Sequence, residues 1–255
     1  MKYVYPKLPG AYDLWLCRVG GHGLANCLFV YAKAIVTAVV NGYTMLAPTW
    51  DNFSIGTYIR KERDKRHYTG IFNSRNEVAG IKRLIILLLF RKKIVVEEGI
   101  YDFFQPLLEH HALIRSYLLS HINADVIKDV NPKSLADCIA VHVRLGDFDE
   151  TRRTPLSWYK EKICSESFYG KKMLVFSDGT DAELSELLEL PNVQRVFYGN
   201  AVADMYAMSC CSYIIGSNSS FSAWASFLGQ VPCCFRKLQF GYLLLNQSEQ
   251  IIEEF

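Results

Sequence analysis

The sequence has no Cys-x-x-Cys spacing, no apolar leader, no run long enough to span a bilayer and almost no net charge. Each absence removes a class of function. Eight cysteines stand at positions 17, 27, 138, 164, 210, 211, 233 and 234, and neither a zinc-ligand pattern nor a disulfide framework can be drawn through that spacing. Several lie inside apolar runs such as Cys138-Ile139-Ala140-Val141, where a free thiol behaves as a small buried hydrophobe. That usage points to a reducing compartment, and a cytoplasmic location is expected. Met1-Lys2-Tyr3-Val4-Tyr5-Pro6 carries no hydrophobic leader. The longest unbroken apolar stretch, Leu84 to Phe90, is far too short for a transmembrane helix. A formal charge of +2 gives no support to nucleic acid as a partner.

What is present describes a folded protein. Half of the 255 residues are apolar and 21% are charged, the balance of a globular chain long enough for one large domain or two modest ones. In the first half, Ala11 to Cys17 reads as a strand and Gly20-Gly21-His22-Gly23 as a tight turn. Leu24 to Asn41 then reads as a helix, with Leu24, Leu28, Tyr31, Ile35 and Val39 at helical spacing and Asn41-Gly42 as its stop. Thr44 to Ala47 completes a βαβ unit. Arg60 to Arg66 holds five basic and two acidic residues, and Lys82-Arg83 and Arg91-Lys92-Lys93 bracket the apolar Leu84 to Phe90. This second cluster fits either a solvated face beside a buried helix or a basic, apolar edge resting peripherally on an anionic membrane surface.

Ile94 to Val96 reads as a strand and Pro106 to His121 as helical. Asn131-Pro132 marks the domain boundary, giving an N-terminal α/β domain over 1–133 and a C-terminal one over 134–255. Beyond it, strands at Cys138–Arg144, Lys172–Ser177, Val193–Phe197, Ser212–Gly216 and Val231–Phe235 alternate with helices at Pro155–Cys164, Asp181–Leu190, Ala201–Cys210 and Phe221–Leu228. Such alternation predicts a parallel sheet covered on both faces.

Four segments carry candidate chemistry, all read as following strands, so that one cleft could gather them. The glycine turn Gly20 to Gly23 suits anion contact at a helix start. It lacks the last glycine of the dinucleotide fingerprint, and Asn41 stands where the acidic residue about twenty positions on would be, which disfavours a nicotinamide cofactor. His142-x-Arg144-x-x-Asp147 places a planar cation suited to phosphate oxygens at a strand end, with Asp147 near enough in sequence to orient it. Alternation sets His142 on the opposite face from Val141 and Val143. Phe176-Ser177-Asp178 ends a strand in a carboxylate able to accept hydrogen bonds from a ribose or a guanine edge. Ser217 to Ser222 runs from strand to helix. There Ser219 or Ser220 caps the helix, and the hydroxyls and N–H groups form a seat for a diphosphate.

In order, these segments are similar to the motifs of the bacterial alpha-1,2-fucosyltransferase family. Its first motif, G-G-L-G-N-Q-M-F-Q-Y-A, is matched by His22-Gly23-Leu24-Ala25-Asn26-Cys27-Leu28-Phe29-Val30-Tyr31-Ala32. Its second, H-V-R-R-G-D-Y, is matched by His142 to Phe148. An F-S-D strand end is found at Phe176 to Asp178. The last, ending I-I-x-N-S-S-F-S-W-W, is matched by Ile214 to Trp224. Three departures matter: Leu145 stands for the second arginine, Ala25 and Cys27 flank Asn26 in place of the G and Q of G-N-Q, and Ala223 stands for the first tryptophan.

The resemblance implies an α/β fold of two facing Rossmann-like domains, the GT-B type. It implies an inverting glycosyltransferase that binds no metal and needs no cofactor, with a GDP-sugar as substrate. On this reading Arg144 neutralises the β-phosphate of the leaving GDP. His142, Asp178, Ser219, Ser220, Phe221 and Ser222 bind the donor, with Asp178 on the nucleoside. His22, Gly23 and Asn26 border the cleft from the acceptor side. Asp147 is a catalytic candidate, with Asp149, Glu150 and Asp13 the other carboxylates from which a general base would come. The implied reaction is transfer of L-fucose, or of a related sugar such as colitose, to a glycan or lipid-linked oligosaccharide in surface-polysaccharide (O-antigen, lipopolysaccharide) synthesis, on the cytoplasmic face of the inner membrane. Leu145 and Ala223 motivate a rival, a non-catalytic nucleotide-sugar-binding protein.

Overall fold

A short parallel sheet begins the structure, a computed structural model that describes residues 1–59, 64–146, 153–236 and 250–253. The chain divides into two units, Met1–Asp125 and Val126–Phe255. The division precedes the Asn131-Pro132 expected from the sequence. Asn131 instead caps a helical turn inside the second unit, its side chain accepting from the Lys133 N–H, and Asn200 Nδ2 donates to Val126 O at 3.0 Å.

In the first unit, β1 (Tyr3–Pro6), β2 (Tyr12–Asp13), β3 (Arg18–Val19), α1 (Leu24–Asn41), β4 (Thr44–Met45), β5 (Asn52–Phe53), α2 (Ile55–Ile59), α3 (Gly80–Leu89), β6 (Ile94–Glu97) and α4 (His111–His121) follow in order. β1 lies between β4 and β6, parallel to both. The strand that feeds α1 is therefore β1 within the βαβ sheet, not Ala11 to Cys17. That segment is broken because Trp15 takes a left-handed conformation, φ 66°, and its N–H donates to Asp13 Oδ1 at 2.9 Å. The result is a hairpin, with Tyr12 opposite Val19, and β3 pairs onward with β5. Pro106 to His121 is a 3-10 turn, Gln105–His110, followed by α4.

α1 runs over the expected residues and stops at left-handed Gly42. Leu24, Leu28, Tyr31 and Ile35 are buried, while Val39 is exposed. By length and composition α1 is apolar enough to cross a bilayer, yet 61% of it is buried within the protein. It is the core helix of its unit.

The second unit contains α5 (Pro132–Leu135), β7 (Ile139–Val143), α6 (Leu156–Ile163), β8 (Met173–Ser177), α7 (Ser185–Leu188), β9 (Val193–Arg195), α8 (Ala201–Ser209), β10 (Tyr213–Gly216), α9 (Ser220–Gly229), β11 (Cys233–Arg236) and β12 (Gln250–Glu253). Its six strands are all parallel, in the order β12-β11-β10-β7-β8-β9. The chain builds outward from β7 through β8 to β9, then returns to the other side of β7 for β10. This is the doubly wound order, and its switch point lies between β7 and β10, where such sheets hold ligands. Every residue of β7 is buried, as two covered faces require. Val141, Val143, Trp158, Tyr159, Val175, Leu184 and Leu187 share one core. None of the eight cysteines is in a disulfide.

Candidate functional site

The carboxyl ends of β7, β8 and β10 bring three of the four sequence segments together. His142 alternates away from Val141 and Val143, as its position in the strand dictates, and meets the first turn of α9. Its Nδ1 lies 2.6 Å from Ser222 Oγ and 2.9 Å from Ser217 Oγ. Its ring is tilted against Phe221 with centroids 5.2 Å apart, and its carbonyl accepts from the Tyr159 hydroxyl at 3.1 Å. Burial, and secondarily the Arg144 guanidinium, push its pKa from 6.5 down to about 4, against a smaller opposing effect of Asp178. His142 is thus a neutral imidazole that fastens β7 to α9, not a group facing a donor. Ser222 is fully buried and spends its hydroxyl on the histidine, so the seat expected of Ser222 falls to its neighbours.

Arg144 follows directly. Its Nη1 lies 3.0 Å from Asp178 Oδ2, and its side chain keeps 29% of its surface exposed. The other carboxylate oxygen, Asp178 Oδ1, accepts from the Leu145 N–H at 2.8 Å. Asp178 therefore fixes both the backbone and the guanidinium of the loop after β7, a positioning role that the motif reading does not contain. The loop that bears Asp178 is braced in turn. Ser177 Oγ accepts from the Gly179 N–H at 3.0 Å, and Arg195 Nη2 donates to Gly179 O at 2.5 Å. Leu145 points the other way, into the core with Val143, Trp158 and Leu184. The apolar residue at the motif's second-arginine position fills space below the site.

Ser219 is the helix cap. It is extended, φ −142°, and its hydroxyl accepts from the Phe221 N–H. Ser220 and Phe221 are half-buried at the start of α9, where the helix dipole favours an anion. A carbon at the Gly216 Cβ position would stand 2.4 Å from the Phe235 ring and 3.0 Å from Ser222 Cβ. Only glycine lets β10 end this close to the helix. Of the expected residues at this sheet edge, Arg144, Asp178, Ser220 and Phe221 keep part of their surface open to a ligand. Asp147, with Asp149 and Glu150, lies outside the described residues. No cluster of His, Cys, Asp and Glu able to hold a metal occurs among the described residues.

The fourth segment belongs to the first unit. Gly21 takes φ 119°, and a side chain there would meet Pro9 O at 2.3 Å. Gly23 is the N-cap of α1 and provides no side-chain cap. Asn26 Nδ2 lies 3.1 Å from His22 Nδ1, one helical turn back, and burial, then Arg66 and Arg18, lower the His22 pKa. Arg66 Nη1 donates to Gly21 O at 2.6 Å. Arg18 is wholly buried, donating to Thr49 O and Pro9 O, each at 2.7 Å. Sequence reasoning missed Arg18 and the bracing of Arg144 by Asp178. Phe176-Ser177-Asp178 is visible as a strand end, but nothing in the linear chain tells which neighbour a carboxylate turns to.

A family model described as Glycosyl transferase family 11 matches residues 99–232, just over half of the chain and including all three segments at the sheet edge. Among solved structures, NodZ alpha-1,6-fucosyltransferase co-crystallized with GDP is 16% identical, with 92% of this chain and 95% of that one covered and a TM-score of 0.52. Fucosyltransferase NodZ from Bradyrhizobium is also 16% identical, with 91% and 93% covered and a TM-score of 0.51. A mutant of Arabidopsis thaliana FUT1 in complex with GDP is 14% identical, with 94% and 72% covered and a TM-score of 0.50. At these identities the likeness is one of fold, the α/β GT-B type implied by the motifs. No curated protein matches.

Proposed function

Since the chain belongs to glycosyl transferase family 11 and is a glycosyltransferase, we propose that it moves L-fucose from GDP-fucose to a hydroxyl of a glycan acceptor. The observation that carries this reading is Arg144, held by Asp178 at the switch point of a doubly wound sheet beside the start of α9. A cation so placed suits a diphosphate, and solved proteins of the same fold are described with GDP.

The course of the reaction, with inversion at the sugar, is the one the motif resemblance implies, and the placement of Arg144 supports it. An acceptor oxygen attacks the anomeric carbon of the sugar from the face opposite the diphosphate. The bond from that carbon to the β-phosphate oxygen breaks, and the acceptor hydroxyl proton leaves to a base. Negative charge grows on the departing diphosphate, where Arg144 and the N–H groups of the α9 start stabilise it. A fixed guanidinium is then asked for the electrostatic work that a metal ion does elsewhere. Chelator-treated protein is accordingly expected to keep its activity.

The finer reading rests on the motif resemblance: an alpha-1,2 linkage, made on a lipid-linked precursor of a bacterial surface polysaccharide on the cytoplasmic side. GDP-colitose is the alternative donor. The non-catalytic alternative loses its motive, because Leu145 and Ala223 are both core residues and Arg144 keeps its place. The test is twofold. GDP, and not UDP, dTDP or CMP, is expected to raise the melting temperature. Arg144→Ala is expected to lower GDP-fucose turnover by about 10²–10³-fold while melting like wild type. Stabilisation by UDP alone, or full turnover in Arg144→Ala, would overturn the proposal.

A further inference from the structure

The helix α3 is apolar on two sides, and only one of them is used. Ile86 and Leu87 pack with Tyr5 and Leu46 in the core of the first unit. Arg83, buried on the same side, donates to the carbonyls of Ala47, Pro48 and Trp15. On the opposite side Ile81, Ile85, Leu88 and Leu89 follow at helical spacing and are 77%, 46%, 55% and 74% exposed. A surface helix ordinarily turns polar residues outward, and contiguous exposed aliphatics mark an interaction surface.

Along α3 and the turn that closes it the charge is of one sign. Between Gly80 and Lys93 there is no acidic residue, and Lys82, Arg91, Lys92 and Lys93 are all exposed. Arg91, Lys92 and Lys93 form the turn that closes the helix. Two of these cations are arranged against aromatic rings: Arg91 lies over Trp15 at 5.5 Å and Lys93 over Phe90 at 5.6 Å. Trp15 is the tip of the β2–β3 hairpin, tied to α3 also through Arg83. It brings Leu14 and Leu16, both exposed, beside the helix.

We propose that α3 with this hairpin tip is a docking edge for an anionic lipid surface, its aliphatic stripe entering the headgroup layer and its four exposed cations facing lipid phosphates. The charge complementarity selects this occupant. A second copy of the chain would have to bring like charges together, whereas a bilayer accepts aliphatic side chains and lysines in one plane. The edge lies outside the groups assigned to the donor, so the proposal stands or falls separately from the sugar transferred.

Co-sedimentation with vesicles tests it. Wild type is expected to pellet with phosphatidylcholine vesicles containing phosphatidylglycerol, to stay in solution with phosphatidylcholine alone, and to be released by high salt. Ile85→Asp combined with Leu89→Asp, and separately Lys92→Glu with Lys93→Glu, is each expected to weaken binding about tenfold or more. Both variants should melt like wild type and turn over GDP-fucose equally well in vesicle-free buffer. Wild type that stays in solution with anionic vesicles, binding undiminished in the variants, or equal binding to neutral vesicles would overturn the proposal. So would light scattering that shows a wild-type dimer made monomeric by Ile85→Asp with Leu89→Asp, since the stripe would then belong to a second copy.

Discussion

Leu145 shows how one position of a motif can change sides. Beside it Arg144 reaches outward to Asp178, while Leu145 joins Val143 and Trp158 below the sheet edge. Burying a leucine is worth roughly 1.5–3 kcal/mol, and a cation forced into that apolar space gives up its hydration. Leu145→Arg, which brings the sequence closer to the H-V-R-R motif, is therefore expected to lower stability by about 2 kcal/mol or more, without a gain in turnover. Urea unfolding and GDP-fucose turnover check this, and a faster enzyme of unchanged stability would contradict it. His142 supplies a second expectation. Its folded pKa of about 4 lies below the ordinary 6.5, so the unfolded chain binds a proton that the folded one refuses. The stability held by the neutral ring is complete above 6.5 and is lost as the pH falls toward 4. His142→Asn should flatten that part of the melting-temperature profile, and an unchanged acid slope would count against it. Sequence alone gave the face of His142 through period-two alternation. It could not give Ser217, Ser222 and Tyr159 as its partners, because those meetings are made by packing.

At the scale of elements, legibility followed burial. The strands β7, β8 and β10 of the second unit are covered on both faces, and such strands read as short apolar runs between polar turns. Their alternation with helices was visible for that reason, to within a residue or two at β7, β8 and β10. β1 was missed because it is four residues long, starts near the chain end and finishes on Pro6. Ala11 to Cys17 reads as one strand because its break into a hairpin depends on the left-handed backbone of Trp15, a residue type with no preference for it. The close approach of β10 and α9 gives the element-scale prediction. Gly216→Ala would drive a methyl into Phe235 and Ser222, and is expected to cost about 1–3 kcal/mol in urea unfolding. It should also weaken GDP binding, because Ser222 holds the end of β7 through His142. A variant with wild-type stability would show that the helix shifts freely, against the packing described.

For the whole molecule, a net charge of +2 is too small to draw a nucleotide diphosphate across long distances. The turn-forming Asn131-Pro132 reads as a boundary in the sequence, whereas the chain divides into its two units after Asp125. A boundary is set by which contacts cross it, and a turn-forming dipeptide reports only local backbone. Bound GDP should stabilise by about 2.7 kcal/mol at a hundredfold excess over its dissociation constant. The Asp178 carboxylate now has a further meaning. It accepts the Leu145 N–H with one oxygen and the Arg144 guanidinium with the other, so the site's cation is already balanced before any nucleotide arrives. What the sheet edge offers a diphosphate is aim more than attraction. An incoming phosphate shares a guanidinium whose direction is settled, and gives up little to ionic strength in doing so. Calorimetry across a salt series is expected to show GDP affinity nearly flat in wild type. In Asp178→Asn it should be more salt-dependent, with turnover reduced because the same arginine, released from its anchor, keeps its charge and loses its bearing.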